Sequence, residues 1–403
     1  MRLLKLGIYH PTYLREFYAR RPALKTETYA VQHAALIKDC FGSSDFWTNA
    51  LNSSGYETGD LIANADFLQK AWAQENDTAF NYENRLFEIA AAQIKHFRPD
   101  ILLIADYSTF TAEFIGSIRR DCSSVRLVLG WCGAPYTDLS VMREWDIALS
   151  CVPEMVAEFK RGGIKSFHVN HAFAPRILDE IDLKSKPDVD FAFIGSILKQ
   201  SSFHIERERL LIRLIENTNL QIWSDIKPET NSPRHNFSIR KAARLIAATP
   251  ERLVKKLSAM RRNLPPDDAV NENIISRAHA PVFGLEMFQK LRDSRVVFNQ
   301  HIDISPVSAS NMRIFETTGV GACLLTDWKQ NLAELFEPDV EVLTYRTAEE
   351  CAEKAKYILE NENLRRQIAE AGQRRTLREH NFENRAARID EIIRGALNSA
   401  LHK

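Results

Sequence analysis

Short apolar runs alternate with amphipathic stretches along the first half of the chain. The runs are too short for helices and predict strands, and the fully apolar run at 101–105 predicts a strand that is covered on both faces. They lie at residues 3–9, 57–63, 101–105 (ILLIA), 126–130 (RLVLG), 146–150 and 166–169. The stretches between them place apolar residues at helical spacing; the clearest are residues 27–51, 82–97, 110–120 and 153–160. This alternation predicts a parallel sheet with helices on both faces.

The same pattern restarts in the second half, after a polar connector at residues 171–187. The strand Val189 to Ile194 ends in Gly195 and Ser196, and a second group of strands and helices follows. Strands are expected at 220–223, 295–299, 323–327 and 341–343, with helices at 205–216, 285–291 and 348–359 and two long polar helices at the end. Two α/β halves predict a ligand in the crevice between them, at the carboxyl ends of the strands.

Residues 308–327 (SASNMRIFETTGVGACLLTD) predict a loop, a short helix and a strand. Ser310 and Asn311 stand where the helix begins, and a helix N-terminus offers unpaired N–H groups that suit a phosphate. Arg313 adds a fork of donors that fits a diphosphate. Glu316, one turn further on, can accept hydrogen bonds from the two ribose hydroxyls. The segment therefore predicts a site for a nucleoside diphosphate.

Composition narrows the class of protein. The 403 residues predict two domains, and 53 Lys plus Arg against 53 Asp plus Glu indicate no polyanion partner such as nucleic acid. The six cysteines form no C-x-x-C pair, which favours a reducing compartment. No apolar run approaches the roughly 20 residues of a membrane-spanning helix. We therefore expect a cytoplasmic protein.

The segment 234–262 interrupts the second half with nine Lys or Arg and a single acid, Glu251. Apolar residues recur in it at helical spacing. Two interpretations stand: a solvated helical hairpin that packs on its own domain, or a basic amphipathic pair that lies on anionic lipid or an anionic acceptor. The second would place the protein at the inner face of the membrane as a peripheral protein.

Three stretches of the second half stand out: DFAFIGS (190–196), NMRIFETTGVGACLLTD (311–327) and LRRQIAEAGQRRTLREHNFENRA (364–386). They resemble the CgeB-like glycosyltransferases, which have the GT-B fold. The pattern R-x-x-E-x-x-G-x-G before a strand, followed by IAEAGQ and HNF, carries most of the likeness. The first half is similar to such proteins through YHPTYLREFY, SSDFW and LQKAWAQE.

The resemblance implies two Rossmann-like domains that face each other across a cleft, with C-terminal helices that cross back to the first. We expect an acceptor-side domain at 1–175, a nucleotide-sugar-binding domain at 187–378 and a returning helix at 379–403. Glu316 matches the glutamate that holds the donor ribose, and Arg313 with Ser310 and Asn311 matches the diphosphate-binding element. Many retaining members carry a second glutamate eight positions earlier, where this chain has Ser308. The stereochemistry of transfer therefore stays open.

Other candidates rest on their places in the predicted topology. Gly195 and Ser196 end a strand that points into the cleft, and either a donor contact or a plain turn explains them. Val282 and Phe283 precede a helix where this fold often meets the nucleobase, and core packing is the competing interpretation. His10 and Asp106 follow strands of the first half and are candidates for the general base of an inverting transfer. No residues are assigned to a metal, and no cofactor is expected.

The sequence thus predicts a metal-independent glycosyltransferase. Its substrates would be a nucleoside-diphosphate sugar and a hydroxyl of a glycan, lipid-linked or protein acceptor, in bacterial polysaccharide or glycan biosynthesis. Two alternatives remain: a sugar-nucleotide epimerase or isomerase of the same fold, and a non-catalytic sugar-nucleotide sensor or scaffold.

Overall fold

The first half of the chain folds around a parallel six-stranded sheet. The computed structural model describes residues 1–136, 138–197, 205–226, 270–302 and 305–401. The sheet has the strand order β2-β1-β3-β4-β5-β6. Its strands are β1 (Arg2–Gly7), β2 (Glu57–Ile62), β3 (Ile101–Ile104), β4 (Leu127–Trp131), β5 (Ile147–Ser150) and β6 (Ser166–His168). All four residues of β3 and of β5 are buried, as expected for strands that helices cover on both faces.

Eight helices accompany this sheet and the connector that follows it, within the described residues. They are α1 (Pro11–Arg20), α2 (Tyr29–Lys38), α3 (Phe46–Asn52), α4 (Asp66–Glu75), α5 (Arg85–Phe97), α6 (Ala112–Asp121), α7 (Pro153–Arg161) and α8 (Ile177–Glu180). Two 3-10 turns, Pro22–Thr26 and Met142–Glu144, complete this half. Helix α7 begins with Pro153 directly after β5, because proline fits the first helical turn, where its missing N–H costs no hydrogen bond.

The second half repeats the plan around a parallel sheet of order β12-β11-β10-β7-β8-β9. Its strands are β7 (Val189–Ile194), β8 (Leu220–Trp223), β9 (Ala278–His279), β10 (Ser294–Asn299), β11 (Cys323–Asp327) and β12 (Leu343–Tyr345). The helices are α9 (Ile205–Asn217), α10 (Glu272–Arg277), α11 (Gly284–Arg292), α12 (Met312–Gly319), α13 (Leu332–Leu335), α14 (Ala348–Glu360), α15 (Glu362–Glu379) and α16 (Phe382–Leu401).

Side chains on the two faces of the second sheet belong to two separate hydrophobic cores. In β10, Val296 and Phe298 join the core beneath α9 and α14, whereas Val297 joins the core that contains α11 and α12. The chain leaves β7 toward β8 on one side and later returns as β10 on the other side of β7. The carboxyl ends of β7 and β10 therefore form the topological switch point, where ligands of doubly wound sheets bind.

The last helix returns to the first half of the chain. Helix α16 packs along α3, and Phe382 lies against Phe46 and Trp47. The Tyr56 hydroxyl donates a hydrogen bond of 2.7 Å to Asp390 Oδ1. Two parallel sheets with flanking helices and a returning C-terminal helix confirm the predicted architecture.

Three details differ from the sequence predictions. The helical stretch at 27–51 is two helices, because the chain turns between α2 and α3 through Cys40 and Gly42, both at positive φ. Strand β12 begins at Leu343, where the prediction has the strand end. Helices α1, α4, α8, α10 and α13 and the short strand β9 were not predicted. The basic segment 234–262 lies outside the described residues.

Candidate functional site

A buried arginine ties the two strand ends of the switch point together. Arg207, in the first turn of α9, donates from Nη1 to the Ser196 carbonyl at 2.9 Å. Its Nη2 donates to the Gln300 carbonyl at 2.7 Å. Ser196 follows β7 and Gln300 follows β10, so one side chain sets the spacing of the two loops. Gly195 and Ser196 thus lie at the switch point, as their place in the sequence predicted.

The loop from β10 to α12 is held by side-chain hydrogen bonds. Asn311 Nδ2 donates to Asn299 Oδ1 at 2.8 Å, which ties the start of α12 to the end of β10. The Ser310 hydroxyl donates to the Ser305 hydroxyl at 3.1 Å. The Asn331 side chain binds the backbone of Ala309 twice: its Oδ1 accepts from the Ala309 N–H at 2.6 Å, and its Nδ2 donates to the Ala309 carbonyl at 3.1 Å. Ser310 and Asn311 are therefore fixed in place before any ligand binds.

Helix α12 presents an uncapped N-terminus beside this loop. Asn311 is the N-cap residue, but its side chain makes no capping hydrogen bond. The amide groups of a first helical turn have no intrahelical acceptor, and a side-chain cap normally satisfies one of them. The start of α12 therefore retains donors and the positive end of the helix dipole, which together suit an anion.

Arg313 and Glu316 meet as an ion pair one turn into α12. Arg313 Nη1 lies 2.8 Å from Glu316 Oε2 and 3.1 Å from Met287 Sδ. The Glu316 side chain is only 8% exposed. Burial raises the pKa of the Glu316 carboxyl, and the positive charge of Arg313 opposes that rise. The structure thus brings the two predicted residues together, with the guanidinium paired to the carboxylate.

A histidine and an aspartate form a second charged group at the same sheet edge. Asp327 Oδ1 accepts from His301 Nδ1 at 2.7 Å and from the His301 backbone N–H at 3.0 Å. Lys329 Nζ lies 3.2 Å from the other oxygen, Asp327 Oδ2. Burial acts to raise the pKa of Asp327, but His301 and Lys329 outweigh it and lower that pKa to about 2. The carboxylate therefore stays ionised and orients the imidazole.

Several buried polar atoms at this edge have no hydrogen-bond partner among the described residues. They are Ser224 Oγ, after β8; Gln300 Oε1 and His301 Nε2, after β10; and Asn311 Oδ1, at the start of α12. His301 is 3% exposed, so water does not reach its ring. Buried polar groups in native proteins are nearly always paired, and unpaired ones call for a ligand or another cause. Their concentration along one sheet edge favours a polar ligand there.

The two candidate bases differ in their surroundings. His10 is the N-cap residue of α1, but its side chain makes no capping hydrogen bond, and its ring stacks on Phe283 of the second half with 6.1 Å between ring centres. Asp106 instead serves its own loop: its Oδ1 accepts from Thr109 N–H at 2.7 Å and from the Ser108 hydroxyl at 3.1 Å. His10 therefore stands where the two halves meet, while Asp106 is occupied as a local cap.

Val282 and Phe283 both pack against apolar neighbours, and Phe283 also lines a small cavity of about 250 Å³ where α1 and α11 meet. Phe283 joins an aromatic cluster of the first half with Tyr13 and Phe41, at ring distances of 5.8 Å from each. Val282 packs against the core that contains α11 and α12. Both contacts fit the core-packing interpretation of these residues.

A cavity of about 820 Å³ adjoins the switch point on the side of α9 and α14. It reaches the sheet edge at Gln300 and Asp327, and Arg213 and Arg346 stand on its walls. Neither Arg313 nor Glu316 lines it. The space thus adjoins the His301–Asp327 side of the edge, across the sheet from Glu316.

Two further properties concern metals and membranes. Within the ranges that the structure describes, no three His, Cys, Asp or Glu side chains come together as a metal site would require. None of the helices in those same ranges is both long enough and apolar enough to cross a membrane.

Comparisons with known proteins identify the fold. Residues 234–391, less than half of the chain, match the model of a family described as glycosyl transferase-like. No curated protein sequence matches the chain. Among solved structures, sucrose-phosphate synthase from Thermosynechococcus elongatus aligns with a TM-score of 0.54 at 10% identity, over 99% of this chain and 100% of that one.

Two other structures align over nearly their whole length. Anabaena HepE in complex with UDP-glucose gives a TM-score of 0.54 at 11% identity, over 98% of this chain and 100% of that one. A glycosyltransferase from Rickettsia africae gives 0.53 at 11% identity, over 98% of both chains. At such identities the likeness concerns the fold, which is GT-B, as predicted.

Sequence reasoning missed four residues of this region: Glu154, Arg207, His301 and Asp327. Asp327 ends the apolar run ACLLT, and His301 comes two residues after a strand, so their places could have drawn attention. Nothing in the sequence paired them, since 26 residues separate the two. Arg207 and Glu154 lie near the starts of predicted helices. Most charged residues in such places are exposed and have no special role, so neither residue stood out.

Proposed function

We propose that the protein is a glycosyltransferase that moves a sugar from a nucleoside-diphosphate sugar to a hydroxyl group. The observation that carries this proposal is the combination at α12: an uncapped helix start with Arg313 and Glu316 one turn apart, at the edge of a GT-B sheet. The glycosyl transferase-like match includes this helix. HepE, which shares the fold, is described in complex with UDP-glucose.

In the proposed complex the diphosphate lies at the N-terminus of α12. The free amide groups of the first turn donate to its oxygens, and Arg313 adds charge within one turn. Glu316 accepts from the ribose hydroxyls, which its ionised form does best, and the adjacent guanidinium favours that form. The buried position of the pair keeps these interactions strong, because little water competes for them.

The same groups would assist the departure of the nucleotide. As the bond from the sugar to the diphosphate breaks, negative charge grows on the leaving oxygen. Donors already fixed in place stabilise that charge without reorganisation, which is the main source of rate in such sites. The loop hydrogen bonds through Asn299, Asn311 and Asn331 hold these donors in position. His301, oriented by Asp327, presents its ring Nε2 at the same edge.

Transfer is proposed to proceed without a metal or a cofactor, because positive charge for the diphosphate is available from the protein. The finer attributes rest on the sequence: a CgeB-like relationship, a glycan, lipid-linked or protein acceptor, and a cytoplasmic setting. Contact of the basic segment 234–262 with a membrane or an anionic acceptor is supported by its composition alone.

Incubation with a panel of UDP-, GDP-, TDP- and ADP-sugars, with and without EDTA, tests the proposal. Release of nucleoside diphosphate by transfer or slow hydrolysis, unchanged by EDTA, is the expected result. Conversion of the sugar without release of nucleotide would identify an epimerase instead. Binding without turnover of any donor would identify a sensor.

A further inference from the structure

A carboxylate of the first half reaches across to the loop that precedes α12. The Ser308 hydroxyl donates a hydrogen bond of 2.9 Å to Glu154 Oε1. Glu154 lies in the first turn of α7, directly after the carboxyl end of β5. Ser308 lies three residues before Asn311, the N-cap of α12. Glu154 is therefore one hydrogen bond away from the loop at which the donor diphosphate is proposed to bind.

Only one oxygen of this carboxylate is used. Glu154 Oε2 is buried and has no hydrogen-bond partner among the described residues. Nor does any Lys or Arg in those residues form an ion pair with Glu154. An ionised carboxylate can accept about four hydrogen bonds, and leaving one of its buried oxygens unpaired destabilises the fold. An oxygen that folding leaves unpaired at such a cost is available to a donor from outside the protein.

The two candidate bases that the sequence predicts, Asp106 and His10, make their contacts away from the loop that precedes α12. The Asp106 carboxylate accepts hydrogen bonds from a backbone N–H and a hydroxyl of its own loop. His10 stacks on Phe283, near the start of α11 rather than near α12. Glu154 alone of the three touches the loop from 305 to 311, and it does so from the half of the molecule that faces the donor side.

We propose that Glu154 is the catalytic base of the transfer, a role that rests on the glycosyltransferase function proposed above. Its Oε2 accepts the proton of the acceptor hydroxyl as that oxygen forms a bond to the anomeric carbon. The bond from the anomeric carbon to the diphosphate oxygen breaks, and its electron pair leaves with the nucleoside diphosphate. Glu154 then releases the proton to water, so no other reactant is consumed.

This role fixes the stereochemistry. An acceptor oxygen that this base activates from the first half attacks the anomeric carbon on the face opposite the diphosphate, which the second half is proposed to hold. A single displacement of this kind inverts the configuration at that carbon. The missing acid at position 308 agrees with this outcome, because a serine there hydrogen-bonds the base instead of supplying a second carboxylate.

Three variants test the assignment, with the donor that the panel identifies. Glu154→Gln keeps an oxygen that can accept from Ser308 but cannot take the proton. We expect its kcat to fall by roughly 10²–10⁴-fold, with little change in the affinity for the nucleoside diphosphate. Glu158→Gln, one turn further along α7, is the matched control and should keep its activity. Ser308→Ala removes the hydrogen bond but leaves the carboxylate, so we expect a loss of about tenfold or less.

The anomeric configuration of the product, read by NMR, completes the test. Inversion together with the large loss in Glu154→Gln supports the base. Retention overturns it, and so does equal loss in Glu154→Gln and Ser308→Ala, which would make the contact a structural link between the halves. Full activity of Glu154→Gln also overturns it while leaving the proposed function intact. Absence of turnover in the unaltered protein would instead remove the proposed function, and this role with it.

Discussion

Asp327 accepts two hydrogen bonds from His301 through a single oxygen, one from the backbone N–H at 3.0 Å and one from ring Nδ1 at 2.7 Å. The contact joins the loop after β10 to the last residue of β11. Because both donors belong to one residue, the ring is held in a single orientation. In the part of the chain that the structure describes, His301 Nε2 has no hydrogen-bond partner, and it lies at the edge where the donor is proposed to bind.

Replacing Asp327 by Asn should destabilise the protein in a pH-dependent way. The folded-state pKa is about 2, below the ordinary 3.8, so the pairing stabilises the fold above about pH 4. That contribution is lost as pH falls toward 2, because both states then bind the proton. The contribution is about 2 kcal/mol, because each unit by which folding shifts the pKa corresponds to roughly 1.4 kcal/mol. Urea unfolding of both proteins at pH 7 and pH 3 measures it. An equal difference in unfolding free energy at the two pH values would contradict this.

Glu316→Gln should weaken the binding of the nucleoside diphosphate. Loss of hydrogen bonds to a charged group costs about 1.5–3 kcal/mol, which is roughly a 10- to 150-fold rise in Kd. Isothermal titration calorimetry measures this directly. Glu334→Gln, at an exposed acid of the same half, is the control and should bind normally. Unchanged affinity in Glu316→Gln would show that this carboxylate does not hold the ribose, provided that thermal unfolding shows the variant to be folded.

The repeating pattern was enough to predict the architecture, for a physical reason. Strands buried on both faces are mainly apolar, and the short apolar sequences ILLI of β3 and IAL of β5 fit that pattern at a length too short for a typical helix. The turn between α2 and α3 was missed because its signal is weak: Cys40, a non-glycine residue, takes a positive φ there. Such a conformation depends on the surrounding packing more than on residue type.

The site was predictable only where its residues are close in sequence. Arg313 and Glu316 share one helix turn, so their spacing brings them together. The pairs His301–Asp327 and Ser308–Glu154 join distant segments, 26 and 154 residues apart. Such pairs arise from the order of the strands and the closure of the two halves, which a single sequence does not contain.

The buried His380 should make the fold sensitive to mild acid. Its Nε2 donates to the Leu335 carbonyl at 2.7 Å, and Arg385 Nη2 donates to its Nδ1 at 2.8 Å, so the ring is neutral. Burial lowers the pKa of His380 to about 4, below the ordinary 6.5. The unfolded chain therefore binds the proton first, and stability falls as pH drops from about 6.5 to 4, by about 3 kcal/mol.

His380→Gln tests this sensitivity. The variant loses stability at neutral pH but has no proton to take up, so its deficit relative to the unaltered protein should shrink between pH 7 and pH 4.5. Chemical unfolding at several pH values in this range gives the comparison. A constant deficit would mean that His380 is not the group responsible.

Gly284→Ala should disturb the contact between the two halves. Gly284 has φ +55°, and a Cβ there would lie 2.3 Å from the Asp39 carbonyl oxygen of the first half. That carbonyl accepts from the Leu285 N–H at 2.8 Å, a hydrogen bond that the methyl group would break. We expect faster proteolysis between the halves and a loss of about 1–3 kcal/mol or more. Gly163→Ala is the control, because it shares a positive φ but meets no neighbouring atoms. Equal effects in both variants would assign the loss to backbone strain alone.

The proposed function requires that the edge of the second sheet bind the diphosphate and ribose of an activated sugar. The decisive experiment is a crystal structure of the protein with the nucleoside diphosphate that binds most tightly. We expect phosphate oxygens within hydrogen-bonding distance of the first amide groups of α12, and ribose hydroxyls on the Glu316 carboxylate. A nucleotide bound elsewhere, with no ligand at α12 or at the Arg313–Glu316 pair, would show that this site is wrong.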